Sequence, residues 1–261
     1  MDVSILTVTW NSGQFIKNQI ESVQNREDKI LIEQLIADNA STDKTESIIK
    51  NNFPEIYFQK LDKNLGFAAA NNNLAKKATG KYLLLLNPDM EVIPGAITKL
   101  FEYAEKNPSS GIVSGLLLDS SGNINSNTLP RRFPTIFDQL VIVLKLHKLF
   151  PNLLKKYLCR DKDFSKIQNV DSVQGSFMLI RRSVLDNFND KLFDEKYYIW
   201  FEDVDLCRRV RQNGLNVTFL PYPVAKDFAG RSFKMQNIMW KQYNFVRSMI
   251  KYFIKWGIKA N

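Results

Sequence analysis

An α/β fold on a mostly parallel sheet is what this sequence predicts, and three observations predict it. Through residue 118, short apolar runs alternate with segments whose apolar residues recur at helical spacing. One run, Tyr82–Leu86, is apolar at every position, the pattern of a strand covered on both faces. The runs are followed by polar side chains (Asn11, Asp38, Asn64 and Asp89) at the carboxyl ends, where such sheets bind ligands.

Each element follows from its own residues. Val3–Thr9 is an apolar, β-branched run and reads as the first strand, closing in the polar loop 10–13. Phe15, Ile16, Ile20 and Val23 then mark a helix. Residues 29–37 read as a second strand ending at Asp38-Asn39, and Asp43 with Glu46 resembles a capping box ahead of Ile48 and Ile49. Residues 56–61 read as a third strand. Asn64-Leu65-Gly66-Phe67 opens an alanine-rich helix over 68–78. The fourth strand, Tyr82–Leu86, stops at Asn87-Pro88-Asp89, because Pro88 cannot continue a ladder. Ile97, Leu100, Phe101 and Ala104 share one face of the next helix, and 111–118 is the fifth strand. Asp89 is a hard oxygen donor, suited to Mg²⁺ or Mn²⁺ carrying a diphosphate, although Asn, Pro and Asp are also ordinary turn residues.

Strand-helix alternation of this density predicts a Rossmann-like, nucleotide-binding half over 1–118. It carries neither the G-x-G-x-x-G fingerprint nor the G-x-x-x-x-G-K-[ST] loop. From Asp119 the character changes: a tight turn over 119–123, a basic Pro-bounded loop over 130–134, and a basic amphipathic helical stretch over 136–158. Residues 172–180 return to strand, 205–213 form a helix ended by Gly214, and 216–220 form a strand stopped by Pro221. A long amphipathic helix over 232–255 closes the chain, with Met235, Ile238, Met239, Gln242, Phe245, Val246, Met249 and Phe253 along its stripe. The expected division is 1–118, 119–231 and 232–261, with the first two parts forming one domain.

The 261 residues suffice for one large α/β domain or two small ones, and a hydrophobic content of 44% supports a full core. A net charge of +9 favours anionic partners. Nucleic acid is not expected, since no helix-turn-helix, zinc or RNP pattern occurs. Cys159 and Cys207 lack metal-ligand spacing and read as free thiols in a reducing compartment. The opening MDVSILTVTWN has no basic n-region and no run is long enough to span a bilayer, so a cytoplasmic protein is expected. His147 reads as structural or solvent-facing, and Cys207 as core. Tyr197, Tyr198 and Trp200 read as core, with a stacking platform for a ligand ring as the other reading. The basic stretches 136–158 and 248–259 suit either packing, including a homodimer, or peripheral contact with the inner face of an anionic membrane.

Six blocks in order carry a family resemblance: TVTWNS (7–12), ADNASTDKT (37–45), NLGFAAANN (64–72), LLLLNPDM (83–90), QGSFMLIRR (174–182) and FEDVDLCRRVRQNG (201–214). Together they resemble family 2 glycosyltransferases of the GT-A fold, most closely bacterial rhamnosyltransferase-like enzymes of surface polysaccharide assembly. The resemblance runs from Val3 to about Ser232. It implies a Rossmann-like sheet flanked by helices, an acceptor-side region and a long C-terminal helix. It also implies that Thr9 and Asp38 hold the base and ribose of a nucleotide sugar, that Asp89 binds the metal, that Gly175 lies near sugar and acceptor, and that Asp203 is the general base. Asn11, Asn64 and Asn87 join this donor mouth. The implied reaction is inverting transfer from a nucleotide-diphosphate sugar, dTDP-rhamnose first and UDP-hexoses next, to a saccharide or lipid-linked saccharide. Glu202 and Asp205 are the other candidate bases. A position ahead of a helix is expected to lower the Asp203 pKa.

Two departures stand out. Asn87 replaces the first carboxylate of the metal motif. Asp227 replaces the histidine of an H-x-x-G-x-S block, here 227–232, and is a candidate second metal ligand. Two other functions compete: a sugar nucleotidyltransferase, which would open on a Gly- and Arg-rich loop absent from 7–12, and a non-catalytic scaffold of the same fold.

Overall fold

Nine strands form one mixed sheet in the computed structural model, which describes residues 1–24, 30–228 and 237–257. In chain order they are β1 (Val3–Thr9), β2 (Ile32–Asp38), β3 (Tyr57–Lys60), β4 (Tyr82–Leu86), β5 (Met90–Val92), β6 (Ser110–Leu118), β7 (Gln168–Val170), β8 (Phe177–Arg181) and β9 (Asn216–Asp227). The helices are α1 (Ile16–Gln24), α2 (Thr45–Asn52), α3 (Gly66–Ala75), α4 (Ala96–Lys106), α5 (Ile136–Val143), α6 (Glu202–Gln212) and α7 (Ile238–Trp256). Across the sheet the order is β3-β2-β1-β4-β8-β6-β9-β5, with β7 paired to β9.

β1 to β4 form the parallel part, and Thr9 stands beside Asp38 in register. Alternation along these strands fills two cores. Leu6, Leu35, Leu83 and Leu85 pack with Ala68 and Leu74 of α3 and Leu206 and Val210 of α6. Ile5, Leu84 and Leu86 pack on the other face with Ile97, Leu100 and Ala104 of α4. Each fully buried side chain of this size contributes about 1.5–3 kcal/mol.

The 111–118 strand does not extend the parallel series directly. β8 enters between β4 and β6, antiparallel to both, with Leu179 opposite Leu84 and Val113. Phe177–Ile180 is buried throughout, and a wholly apolar run specifies a central position without specifying direction. The strand expected over 172–180 is confined to 177–181 as β8; β7 lies ahead of the expected range at 168–170, and the residues between are loop. β5 is a further short strand, formed where the chain leaves Asp89 and meets β9.

Several local expectations are corrected. β2 starts at Ile32, and Lys29 lies outside the described residues. Asp43 and Glu46 form no capping box: the Asp43 carboxylate accepts from the Thr45 and Gly13 amides, while Glu46 pairs with Lys50 and Lys60. The 136–158 stretch is α5 followed by short 3-10 turns, because Lys145 turns left-handed (φ 57°) and Pro151 starts a new turn. Pro221 does not end its strand. β9 continues to Asp227 through irregular pairing with β6, where Pro223 stands opposite Leu116 and the shifted register absorbs the missing donors. The final helix begins at Ile238, and residues 229–236, including Met235, lie outside the described residues. Ile238, Met239 and Gln242 face solvent. Phe245, Met249 and Phe253 of the expected stripe do pack inward, and the buried line adds Asn244, Ser248 and Tyr252 beside them.

Polar contacts fix this orientation of α7. Ser248 Oγ donates to the Ile199 carbonyl at 2.8 Å, and Arg208 donates to the Tyr252 hydroxyl at 3.1 Å. The Trp256 indole and Lys255 both donate to Asp205, at 2.7 and 3.0 Å. The Arg208 guanidinium also sits 4.8 Å from the Trp256 ring centroid. Among the described residues no helix is long and apolar enough to cross a membrane.

Candidate active site

At the carboxyl ends of β1 and β4 the sheet opens into a cleft of about 710 Å³. Asn64, Asn87, Asp89, Gly175, Asp203 and Asp227 all line it. Residues far apart in the chain are thus gathered by strand ends and the loops that follow them.

Thr9, Asn11 and Asp38 are placed differently. Thr9 and Asp38 are fully buried and engage each other, the Thr9 hydroxyl donating to Asp38 Oδ1 at 2.7 Å. Asp38 also accepts from the Ser41 hydroxyl (2.5 Å) and amide (3.0 Å). This cluster fixes the turn beneath Asn39, and Asn39 itself lines the cleft. Asn11 has φ 49° and accepts from the Thr42 amide at 2.9 Å, tying the β1 loop to the β2 loop.

Two hydrogen bonds lock the loops around Asp203. The Asn87 amide donates to the Ser176 carbonyl at 3.0 Å, and the Gly175 amide to Asp203 Oδ2 at 3.1 Å. Space at Gly175 is tight: an added Cβ would lie 3.2 Å from Asp203 Cβ. Asp203 occupies the first turn of α6 rather than preceding it. Trp200 and Phe201 just before it both take left-handed conformations (φ 63° and 68°), at a cost of about 1–3 kcal/mol each. The strain aims the start of α6 at the cleft.

The pKa of Asp203 is raised, not lowered. Burial in the cleft wall pushes it up and outweighs the Gly175 and Val204 amides and the Arg131 charge. Burial and the neighbouring Asp203 charge push Glu202 well above the ordinary carboxylate range. Two adjacent carboxylates placed like this do not both ionise readily, and the upward push is the stronger at Glu202. Asp205 faces away, fully buried and held by Arg209, Lys255, Trp256 and Tyr197, which removes it as a candidate base.

Asp89 and Asp227 are brought together by the β5–β9 ladder. Met90 stands opposite Asp227, and the Phe228 amide donates to the Asp89 carbonyl at 3.0 Å. Asn125 donates to Asp227 Oδ2 at 3.3 Å. Both carboxylates line the cleft, and each is a hard oxygen donor of the kind that suits Mg²⁺ or Mn²⁺. Among the described residues no group of three or more His, Cys, Asp or Glu could hold an ion alone. The remaining positions of such an ion would fall to ligand oxygens and water. Residues 229–232 of the block that Asp227 opens lie outside the described residues.

Sequence reasoning did not assign several wall residues. Trp10, Phe67, Arg131, Gln139, Tyr157 and Trp240 all line the cleft. The basic loop at 130–134 was a visible signal for Arg131, but its docking beside Asp203 depends on the Arg131–Ser172 bridge. Tyr198 and Trp200 line the cleft, whereas Tyr197 is core. Three buried polar atoms on lining residues, Gln139 Nε2, Ser176 Oγ and Glu202 Oε2, have no protein partner. Groups of this kind point to a polar ligand.

The comparisons with known proteins agree with this geometry. The sequence model described as Glycosyl transferase family 2 matches residues 4–188. A Mycobacterium tuberculosis protein named N-acetylglucosaminyl-diphospho-decaprenol L-rhamnosyltransferase is 25% identical over 229 residues, covering 83% of this chain and 73% of that one. Rhamnosyltransferase WbbL of Escherichia coli K12 is 26% identical over 202 residues, covering 73% and 71%. Among solved structures, S. aureus TarS 1-349 in complex with UDP-GlcNAc superposes with TM-score 0.61 at 15% identity, covering 95% of this chain and 66% of that one. The chain spans 60% of the TarS 1-349 chain solved with UDP, at TM-score 0.61 and 16% identity. This structural likeness shows a shared GT-A-like α/β fold.

Proposed function

The chain belongs to glycosyl transferase family 2, and we propose that it transfers a sugar, rhamnose first among the candidates, from a nucleotide-diphosphate donor to a hydroxyl of a saccharide or lipid-linked saccharide, with inversion. The observation that carries this reading is the gathering of Asp203, Asp89 and Asp227 on one cleft at the carboxyl strand ends. The names of the mycobacterial and E. coli relatives favour rhamnose, and the first of them favours a lipid-diphosphate acceptor. The TarS complexes keep UDP-linked hexoses as the alternative donors. In bacterial surface polysaccharide assembly such a reaction belongs at the cytoplasmic side of the membrane.

In this mechanism the acceptor hydroxyl oxygen attacks the anomeric carbon as Asp203 takes its proton. The bond from that carbon to the diphosphate oxygen breaks, and its electron pair leaves with the nucleotide. One displacement inverts the anomeric configuration. A carboxylate whose pKa is raised is a better-matched base than an ordinary aspartate. Gly175 orients Asp203 through its amide. Asp89 and Asp227 would hold the divalent ion, which when bound supplies positive charge against the diphosphate. Arg131 adds a fixed cation to the same wall.

The test is release of free nucleotide from a donor panel containing dTDP-rhamnose and UDP-hexoses, with Mg²⁺, Mn²⁺ or EDTA. Metal-dependent release from one donor is expected. A donor-induced thermal shift without release would mean that the acceptor is missing. Neither release nor shift would favour a non-catalytic member of the fold.

A further inference from the structure

We propose that α5, the 3-10 turns after it and α7 form a docking face for an anionic phospholipid surface, which sets the cleft mouth at the headgroup layer. The inference deepens the proposed function, since it names the surface on which a lipid-linked acceptor would be met.

Both helices have two working sides. On one side Gln139 and Ile142 of α5 and Trp240 and Phe245 of α7 line the cleft. On the other, Phe137 of α5, Leu144 at its C-terminal cap, and Ile250 and Ile254 of α7 are exposed, Ile254 to 80%. An apolar groove of about 340 Å³ runs between them, lined by Ile136, Leu140, Met249, Ile250, Phe253 and Ile254. The adjoining 3-10 segment exposes Leu149 and Phe150 as well. Apolar surface this extensive on a folded chain marks an interaction site.

Charge selects the occupant. Residues 136–160 hold Lys145, Lys148, Lys155, Lys156 and Arg160 against one acid, Asp138. Asp138 is already used in the capping box with Thr135. Residues 237–257 hold Lys241, Arg247 and Lys251 and no acid, while a fourth cation, Lys255, is already paired with Asp194 and Asp205. The chain has 27 Asp and Glu, so their near absence here concentrates excess positive charge in these two segments. Exposed apolar side chains interspersed with lysines match the boundary between anionic headgroups and acyl chains. A second copy of the chain would bring an equally cationic face against this one, and like charges would oppose that pairing.

The experiment is flotation of the full chain with vesicles of phosphatidylcholine alone or with phosphatidylglycerol, without donor or acceptor. Binding to the anionic vesicles is expected, weakened by salt and much weaker on the neutral ones. Lys145→Gln with Lys148→Gln should weaken it about five-fold per lysine. Leu144→Ser with Ile254→Ser should weaken it about ten-fold or more. Leu31→Ser, which removes an exposed apolar group off this face, should leave it unchanged. Absent binding, equal binding to neutral vesicles, or a stable dimer in solution that leaves the vesicles unbound would each overturn the proposal. Because the readout needs no turnover, its failure is distinct from failure of the transferase reading.

Discussion

The parallel strip β3-β2-β1-β4 and the mixed strip β8-β6-β9-β5 border the same cleft, yet they meet it with opposite chemistry. At the parallel edge the polar groups satisfy one another: Thr9, Asp38 and Ser41 form a closed, buried cluster. Beside the mixed strip, the loop before β8 and the start of α6 hold groups left wanting. Ser176 and Glu202 have unpartnered atoms, Asp203 and Glu202 have raised pKa values, and Trp200 and Phe201 are strained. One region is built to hold its shape, and the other stores the unfavourable terms that a ligand or a reaction can use.

The sharpest way to break that contrast is Asp203→Asn. Turnover should fall by about 10²–10⁴-fold, the span of general-base catalysis, while the donor-induced thermal shift persists. Parent-like turnover would take the base out of α6. Next is Asp205→Ala, two residues along the same helix but facing the interior. Removing a carboxylate that holds Arg209, Lys255 and the Trp256 indole should cost about 3–5 kcal/mol, read by chemical denaturation, with faster amide exchange in α7. A cost below about 1 kcal/mol would mean the network behaves like a surface ion pair.

Smaller is a paired test at two glycines. Gly66 (φ 84°) and Gly95 (φ 73°) are both left-handed, but a Cβ at Gly66 would lie 2.3 Å from the Tyr198 carbonyl oxygen, while nothing lies within 4 Å at Gly95. Gly66→Ala should therefore cost about 1–3 kcal/mol more than Gly95→Ala. Equal costs would show that the wall moves aside freely. The smallest effect is expected from Glu202→Gln. Its carboxyl pKa is raised in the folded chain, so its contribution to stability is full below the ordinary glutamate value and is lost as pH rises through the raised one. The melting temperature of the glutamine variant should gain on the parent over that window, and parallel curves would mean that Glu202 is not held neutral.

The parallel strip was legible almost residue by residue. Val3–Thr9 and Tyr82–Leu86 coincide with their strands because apolar runs bounded by Asn and Pro leave little alternative. The cleft-lining positions of Asn64, Asn87, Asp89, Gly175, Asp203 and Asp227 were likewise reachable from motifs. The rest failed for identifiable reasons. An all-apolar run such as Phe177–Ile180 states that a strand is central and nothing about its direction. Pro221 signals a stop only if the ladder is regular, and β9 is not.

By itself, then, the sequence determined the alternating α/β class, the two-faced core and the residue types at the strand ends, because these follow from short-range periodicity. Only the tertiary structure decided that Asp205 turns away from the cleft while Glu202 and Asp203 line it, why the Asp203 pKa rises, and which face of α7 is buried. The first two depend on burial by distant segments, which at Asp203 outweighs the lowering pull of the Gly175 amide and the Arg131 charge. The last depends on hydrogen bonds to Ile199, Arg208 and Asp205, which bring Ser248, Tyr252 and Trp256 inward beside Phe245, Met249 and Phe253 of the apolar stripe. Burial and long-range pairing are set by every segment at once, so no single stretch of sequence contains them.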